Sequence, residues 1–128
     1  MRQLFSYFSL VLIATTTLAS APENTIPQDV FDGMRESFRA DRAKGLHLRY
    51  QFDLSGPNGG YWSIEIDDGK CKMARGRIAN PNVTFAASDK DWVALSNRHL
   101  SGVWAAVTGR LKIRGDQAAA RKLDELFP

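Results

Sequence analysis

Few side chains in this sequence are spaced for chemistry. Cys71 is the single cysteine, so no internal disulfide can form, and His47 and His99 have no second cysteine to complete a zinc site. A nucleophilic thiol at Cys71 would need a base held by a third group. No spacing supplies one, and a structural thiol in the core or at a strand edge is expected. His47 falls on the polar side of an alternating strand and His99 in a link between helices, so both read as solvated. Asp67 and Asp68 precede Gly69 and suit a turn better than an acid–base pair. GxSxG, GxxxxGK[ST] and HExxH are absent from the chain. No catalytic residue, metal site or cofactor is expected.

Two other patterns touch chemistry. Asn82-Val83-Thr84 matches a glycosylation sequon, but it opens a strand whose ladder should claim Thr84, so occupancy is not expected. Arg110, Lys112 and Arg114 alternate along a strand, and Lys70, Lys72, Arg75 and Arg77 form a second basic group. A solvated sheet face accounts for both; the functional alternative is transient contact with anionic lipid headgroups at a membrane surface, where each cation contributes on the order of 1 kcal/mol. Nucleic acid is not expected as a partner, because the aromatic residues lie on the apolar faces instead of between these cations.

The elements that position these residues follow from periodicity. In the 128-residue chain, 44% of residues are hydrophobic, 24% are charged and the net charge is +3, which suits one globular domain and a monomer. Val30, Phe31, Met34 and Phe38 recur at helical steps before Gly45. "LHLRYQFDLS" alternates throughout, "GPNGG" is turn-forming, and "YWSIEID" resumes the alternation, which predicts a hairpin. "CKMARGRI" and "VTFAAS" extend it into a meander. Ser88 or Asp89 can cap a helix through Trp92 and Leu95, "HLSGVWAAVTG" reads as a second short helix, "RLKIRGD" as a fifth strand, and "QAAARKLDELFP" as a terminal amphipathic helix.

Residues 1–21 differ from the rest. Arg2 is their only charge, and an apolar run then ends in small residues before Pro22 and Glu23. This is the order of a signal peptide, with cleavage expected after Ala19; the alternatives are an uncleaved N-terminal anchor and a misassigned start. Residues 22–128 are the expected folded domain. Cleavage would make the protein secreted or periplasmic, and without it the chain would be membrane-anchored or cytoplasmic.

From Val30 onward the chain resembles the sterol carrier protein type 2 family, also called non-specific lipid-transfer proteins. The residues that carry the likeness are "FDGM", "YQFDLSGPNGGYWSIEIDDGKCKMARGR", "NPNVTFAASDKDWVALSNRHLSGVWAAVTGRLKIRGD" and "KLDELF", and they span nearly all of 24–128. The resemblance implies an α+β fold, a five-stranded mainly antiparallel sheet covered on one face by helices, with a hydrophobic tunnel between the layers for fatty acids, acyl chains or sterols. It also implies a non-catalytic lipid carrier, the alternative being a protein-interaction or accessory module of lipid or quinone metabolism with a filled core. Members are commonly cytosolic or peroxisomal, which the apparent leader contradicts.

Carried onto this sequence, the resemblance implies a tunnel floor from Tyr50, Phe52, Trp62, Ile64 and Phe85. It implies a wall from Trp92, Leu95, Val103, Trp104 and Val107, and a closing end from Leu111, Leu123, Leu126 and Phe127, with the terminal helix as a gate. Ordinary core packing is the alternative for each. A carrier must also release its cargo, since burial gains roughly 0.8 kcal/mol per CH₂ in the protein and about as much in a bilayer; few polar anchors are therefore expected.

Overall fold

Period-two alternation gives each strand one apolar face, and the sheet aligns those faces in register. A computed structural model describes residues 22–128, so the leader reading lies outside the described residues. Helix α1 spans Pro27–Ser37 and a 3-10 turn Ala40–Arg42; strands β1 to β4 span His47–Ser55, Gly60–Asp67, Lys70–Arg75 and Val83–Ser88. Helices α2 (Asp89–Ser96) and α3 (Gly102–Val107) precede β5 (Leu111–Gly115), and α4 (Gln117–Leu126) ends the chain. The expected order of elements is present and the fold is α+β, but the expected meander ends at β3, because β4 crosses back to pair with β1.

The strands run β3-β2-β1-β4-β5 across the sheet. All neighbours are antiparallel except β1 and β4, which are parallel. One inner row runs Met73, Ile64, Tyr50, Val83, and the next runs Arg75, Trp62, Phe52, Phe85, Ile113. Polar pairs cross the outer face between β1 and β2, where His47 Nδ1 lies 2.9 Å from Asp67 and Arg49 Nε 3.2 Å from Glu65.

The helices cover the inner face through a cluster of aromatic rings. Phe31 of α1 stacks on Trp62 at 5.1 Å, meets Phe52 edge-on at 5.1 Å and stacks on Trp92 of α2 at 5.8 Å. Phe52 also stacks on Phe85 at 5.3 Å. Such ring pairs stabilise beyond their buried area. Pro27 at the first helical position and the Asp29 carboxylate, which accepts from the Thr25 and Ile26 amides, fix the start of α1. The Trp62 indole donates to Gln28 at 3.2 Å and ties the same turn to β2.

Positive φ and close contact make two glycines necessary. Gly56 has φ +99°, and a Cβ there would collide with the Asp89 carboxylate, which is buried and accepts from the Asn58 amide at 2.9 Å. Gly115 has φ +109°, and a Cβ there would strike the Asn82 carbonyl. That carbonyl accepts the Asp116 amide, while the Asn82 side-chain oxygen accepts the Arg49 amide at 2.7 Å. Thr84 lies in the ladder between Gln51 and Arg114.

The outer face is less open than alternation implies. Residues 76–82 fold across it: the Gln51 side chain accepts the Ile78 amide at 2.8 Å and is buried, and Arg49 donates to the Ala79 carbonyl at 3.0 Å. A cleft of about 360 Å³ lies beside this crossing, lined among others by His47, Arg49, Glu65, Asp67 and Asn80.

Two consequences can be measured. Phe31→Ala removes the ring shared by three partners and should destabilise the fold by about 3–5 kcal/mol in urea unfolding; a loss under about 1 kcal/mol would contradict the shared-ring packing. Arg110 forks onto Asp91 at 2.6 and 3.3 Å and holds that carboxyl below its ordinary range, chiefly through these hydrogen bonds. A depressed carboxyl contributes stability above its unfolded pKa and loses it as pH falls through the folded one. Arg110→Gln should therefore lower the urea midpoint near neutrality and flatten its decline below about pH 4; an unchanged acid limb would contradict the linkage.

Candidate functional site

The layer between sheet and helices brings together most of the residues expected to line a tunnel. Tyr50, Phe52, Trp62, Ile64 and Phe85 are buried on the inner sheet face, with Trp92 of α2 above them. Leu111 and Leu126 are also buried, while Leu95, Leu123 and Phe127 are half-buried against this core. The floor is thus a continuous apolar surface, and its helix-side boundary is partly open to solvent.

Three wall positions depart from the expectation. Val103, Trp104 and Val107 are 78%, 59% and 73% exposed, and α3 instead turns Ala105 inward with no exposure. Ser101 caps this helix by accepting the Trp104 amide at 3.3 Å, and α3 rests on β5 through its small side. Two valines four residues apart with Trp104 between them define one helical face. That face points to water.

The interior holds one unsatisfied group. Trp92 Nε1 is the sole buried side-chain nitrogen or oxygen among the described residues without a hydrogen-bond partner. Phe31, Phe52 and Phe85 lie around the Trp92 ring at 5.8, 5.2 and 6.5 Å. A buried donor without an acceptor carries a desolvation penalty of about 1–3 kcal/mol. An oxygen of a guest molecule would relieve it.

Helix α4 closes the layer with polar ties at both ends. The Tyr50 hydroxyl donates to the Ala119 carbonyl at 2.7 Å, and burial pushes the phenol pKa up, so it stays a donor. At the other end the Arg39 amide donates to Leu126 O at 2.8 Å, Arg42 donates to Glu125 O at 3.1 Å, and Phe38 packs on Phe127 at 5.4 Å. Asp116 caps the helix by accepting the Ala118 and Ala119 amides.

Sequence reasoning placed Phe31 on an apolar helix face but not among the site residues, although its ring is central to the cluster. Met73 was obscured by weak alternation in β3, yet it extends the Tyr50 and Ile64 row. The two basic groups lie on β3 with its exit, and on β5, at opposite edges of the sheet. Four strand spacings, roughly 19 Å, separate the edge strands. Arg75 is committed to the Trp62 ring at 4.1 Å and Arg77 to Tyr61 at 4.3 Å.

Comparisons with known proteins agree with this architecture. The family model described as "SCP-2 sterol transfer family" matches residues 30–128. Among curated proteins, the chain is 30% identical over 101 residues to hydroxysteroid dehydrogenase-like protein 2 of Bos taurus, covering 78% of this chain and 24% of that protein. The human protein of the same name is 27% identical over 111 residues, covering 86% and 27%. The chain thus spans about a quarter of the length of these relatives. Among solved structures, sterol carrier protein domain 2 of Helicoverpa armigera is 32% identical with a TM-score of 0.61, covering 83% of this chain and 91% of that one. The Pseudomonas sec-alkylsulfatase Pisa1 superposes with a TM-score of 0.65 at 16% identity, covering 73% and 15%.

Among the described residues no group of three or more His, Cys, Asp or Glu side chains could hold a metal ion. Cys71 sits half-buried on β3, where burial pushes its thiol up to about 11 against a smaller opposing effect of Arg35. A thiol so raised is protonated at neutral pH and a poor nucleophile. Iodoacetamide should alkylate Cys71 on the order of a hundredfold more slowly than a free thiol in the native protein, and at the ordinary rate in urea. Equal rates in both states would contradict the burial.

Proposed function

Because the chain belongs to the SCP-2 sterol transfer family, we propose that it binds and carries single lipid molecules in a tunnel between its sheet and helices, without catalysing a reaction. The observation that carries the reading is the orphan Trp92 Nε1–H within an apolar aromatic surround. The rings solvate hydrocarbon, and the lone donor can hold a carbonyl or carboxyl oxygen. One anchor orients a guest without trapping it, which suits a carrier that must return its cargo to membranes. Tyr50, Phe52, Trp62, Ile64 and Phe85 form the floor of the proposed tunnel. Leu95, Leu111 and Leu123 line its open side, and Leu126 and Phe127 its end. Release runs through α4, whose ties to Tyr50, Arg39 and Arg42 can break without disturbing the aromatic cluster.

A solution structure of palmitated SCP2L2 from Aedes aegypti, 20% identical with a TM-score of 0.62, makes palmitate the first probe. A second reading, an accessory domain that presents lipid to a larger enzyme, is favoured by one finding. The chain matches only 24% of the bovine dehydrogenase-like relative and 15% of the sulfatase chain. Both readings need an occupied interior.

Delipidated protein should bind palmitate saturably with one molecule per chain, and native mass spectrometry of protein from its source should show a co-purifying lipid. No saturable binding across acyl and sterol probes would overturn the proposal. Trp92→Phe keeps a ring but removes the donor. It should reduce the preference for palmitate over hexadecane by about tenfold, the size of one hydrogen bond to a charged group. An unchanged preference would dismiss Trp92 as the anchor.

A further inference from the structure

The inner layer offers a guest one donor and no charge to balance a charged head. Among the described residues the buried polar or charged side chains are Gln51, Ser63 and Asp89, so no lysine, arginine or histidine is buried. None of the three serves the inner face. Gln51 and Ser63 sit opposite each other on the outer face, where the Gln51 side chain donates to Asp53 and accepts from the Ile78 amide. Asp89 accepts the Asn58 and Lys90 amides at the head of α2. The Tyr50 hydroxyl is committed to the Ala119 carbonyl. On the inner sheet face the described strands carry one cation, Arg75, which is exposed on the edge strand β3 and lies 4.1 Å over the Trp62 ring. Two strand spacings, roughly 10 Å, separate β3 from β1, where Phe52 meets Trp92.

Trp92 itself is 7% exposed and its Nε1–H has no partner. Helix α2 packs on α1, β1 and β4, whose residues around the indole are Phe31, Phe52 and Phe85. None of these titrates. On α2 the charged groups are Asp89, three residues before Trp92 and buried, Asp91, paired with Arg110, and the exposed Lys90. An ionised carboxylate placed against Trp92 would leave water for one neutral donor, with no buried cation and a carboxylate one turn away. Each of these disfavours the charge. An uncharged carbonyl gives up less hydration and needs only one donor.

We propose that the interior selects lipids with an uncharged carbonyl head, an ester or a ketone, over ionised fatty acids. The inference rests on the lipid-carrier reading and names the class of guest that reading leaves open. Palmitate remains a guest, and a better one as its carboxyl becomes protonated.

The test sets delipidated full chain against phosphatidylcholine vesicles and measures how methyl palmitate and palmitate each divide between them. At about pH 9 free carboxyls are ionised, and the ester should favour protein over vesicles at least about tenfold more than the acid does. Towards about pH 5 this gap should narrow at least about threefold as the acid loses its charge, while the distribution of the ester stays constant. The infrared carbonyl stretch of bound methyl palmitate should lie at its lower, hydrogen-bonded frequency, and Trp92→Phe should return it to the frequency found in hydrocarbon. Equal distributions of ester and acid at every pH would overturn the proposal by placing the head in water at the rim, and would leave the carrier reading standing. A hydrogen-bonded ester stretch that Trp92→Phe does not move would also overturn it. Failure of both lipids to enter the protein would sink the carrier reading and this inference with it. Should Trp92→Phe not fold, the pH comparison on the unaltered chain decides alone.

Discussion

Phe31 packs at ring-contact distance against Phe52, Trp62 and Trp92, from two strands and a second helix. This contact sets where the helical layer sits on the sheet. Helix α1 could otherwise slide along the inner face, because aliphatic side chains impose little orientation. Rings impose more, since their faces and edges carry opposite partial charge and prefer stacked or edge-on arrangements. Phe31 and Trp92 thus fix α1 and α2 at one end of the inner face.

The other end is held differently. Helix α4 depends on hydrogen bonds at its two termini, from the Tyr50 hydroxyl and from the Arg39 and Arg42 donors. Polar ties contribute about 1 kcal/mol each in net terms, because water competes for the same groups. The layer thus combines an end held by aromatic rings with an end held by hydrogen bonds and by the buried Leu126 and Ala119 of α4. In the proposed carrier, cargo enters and leaves at the second end while the first preserves the fold.

The two faces of the sheet have separate duties. The inner face supplies the apolar floor. The outer face is crossed by residues 76–82 and cross-linked by His47 with Asp67 and Arg49 with Glu65. Asn82 joins the duties: its side chain bonds β1 and its carbonyl bonds the start of α4. The parallel β1–β4 pair and the entry to the terminal helix therefore depend on one residue between strands.

The sequence by itself determined which side of each strand is apolar, because successive side chains alternate at any register. It also determined the order of elements and the apolar face of α1. Only tertiary structure decided that β1 pairs with β4 in parallel and that the two basic groups lie on opposite edges of the sheet. Those facts depend on contacts between distant segments. The orientation of α3 was likewise hidden. "GVWAAV" is apolar on every side, so its periodicity selects no inward face. Packing selected Ala105, whose small side chain lets the helix approach β5, and left Val103, Trp104 and Val107 facing out. The orphan donor of Trp92 was equally invisible, because an unsatisfied hydrogen bond is a property of the surroundings, which here are rings.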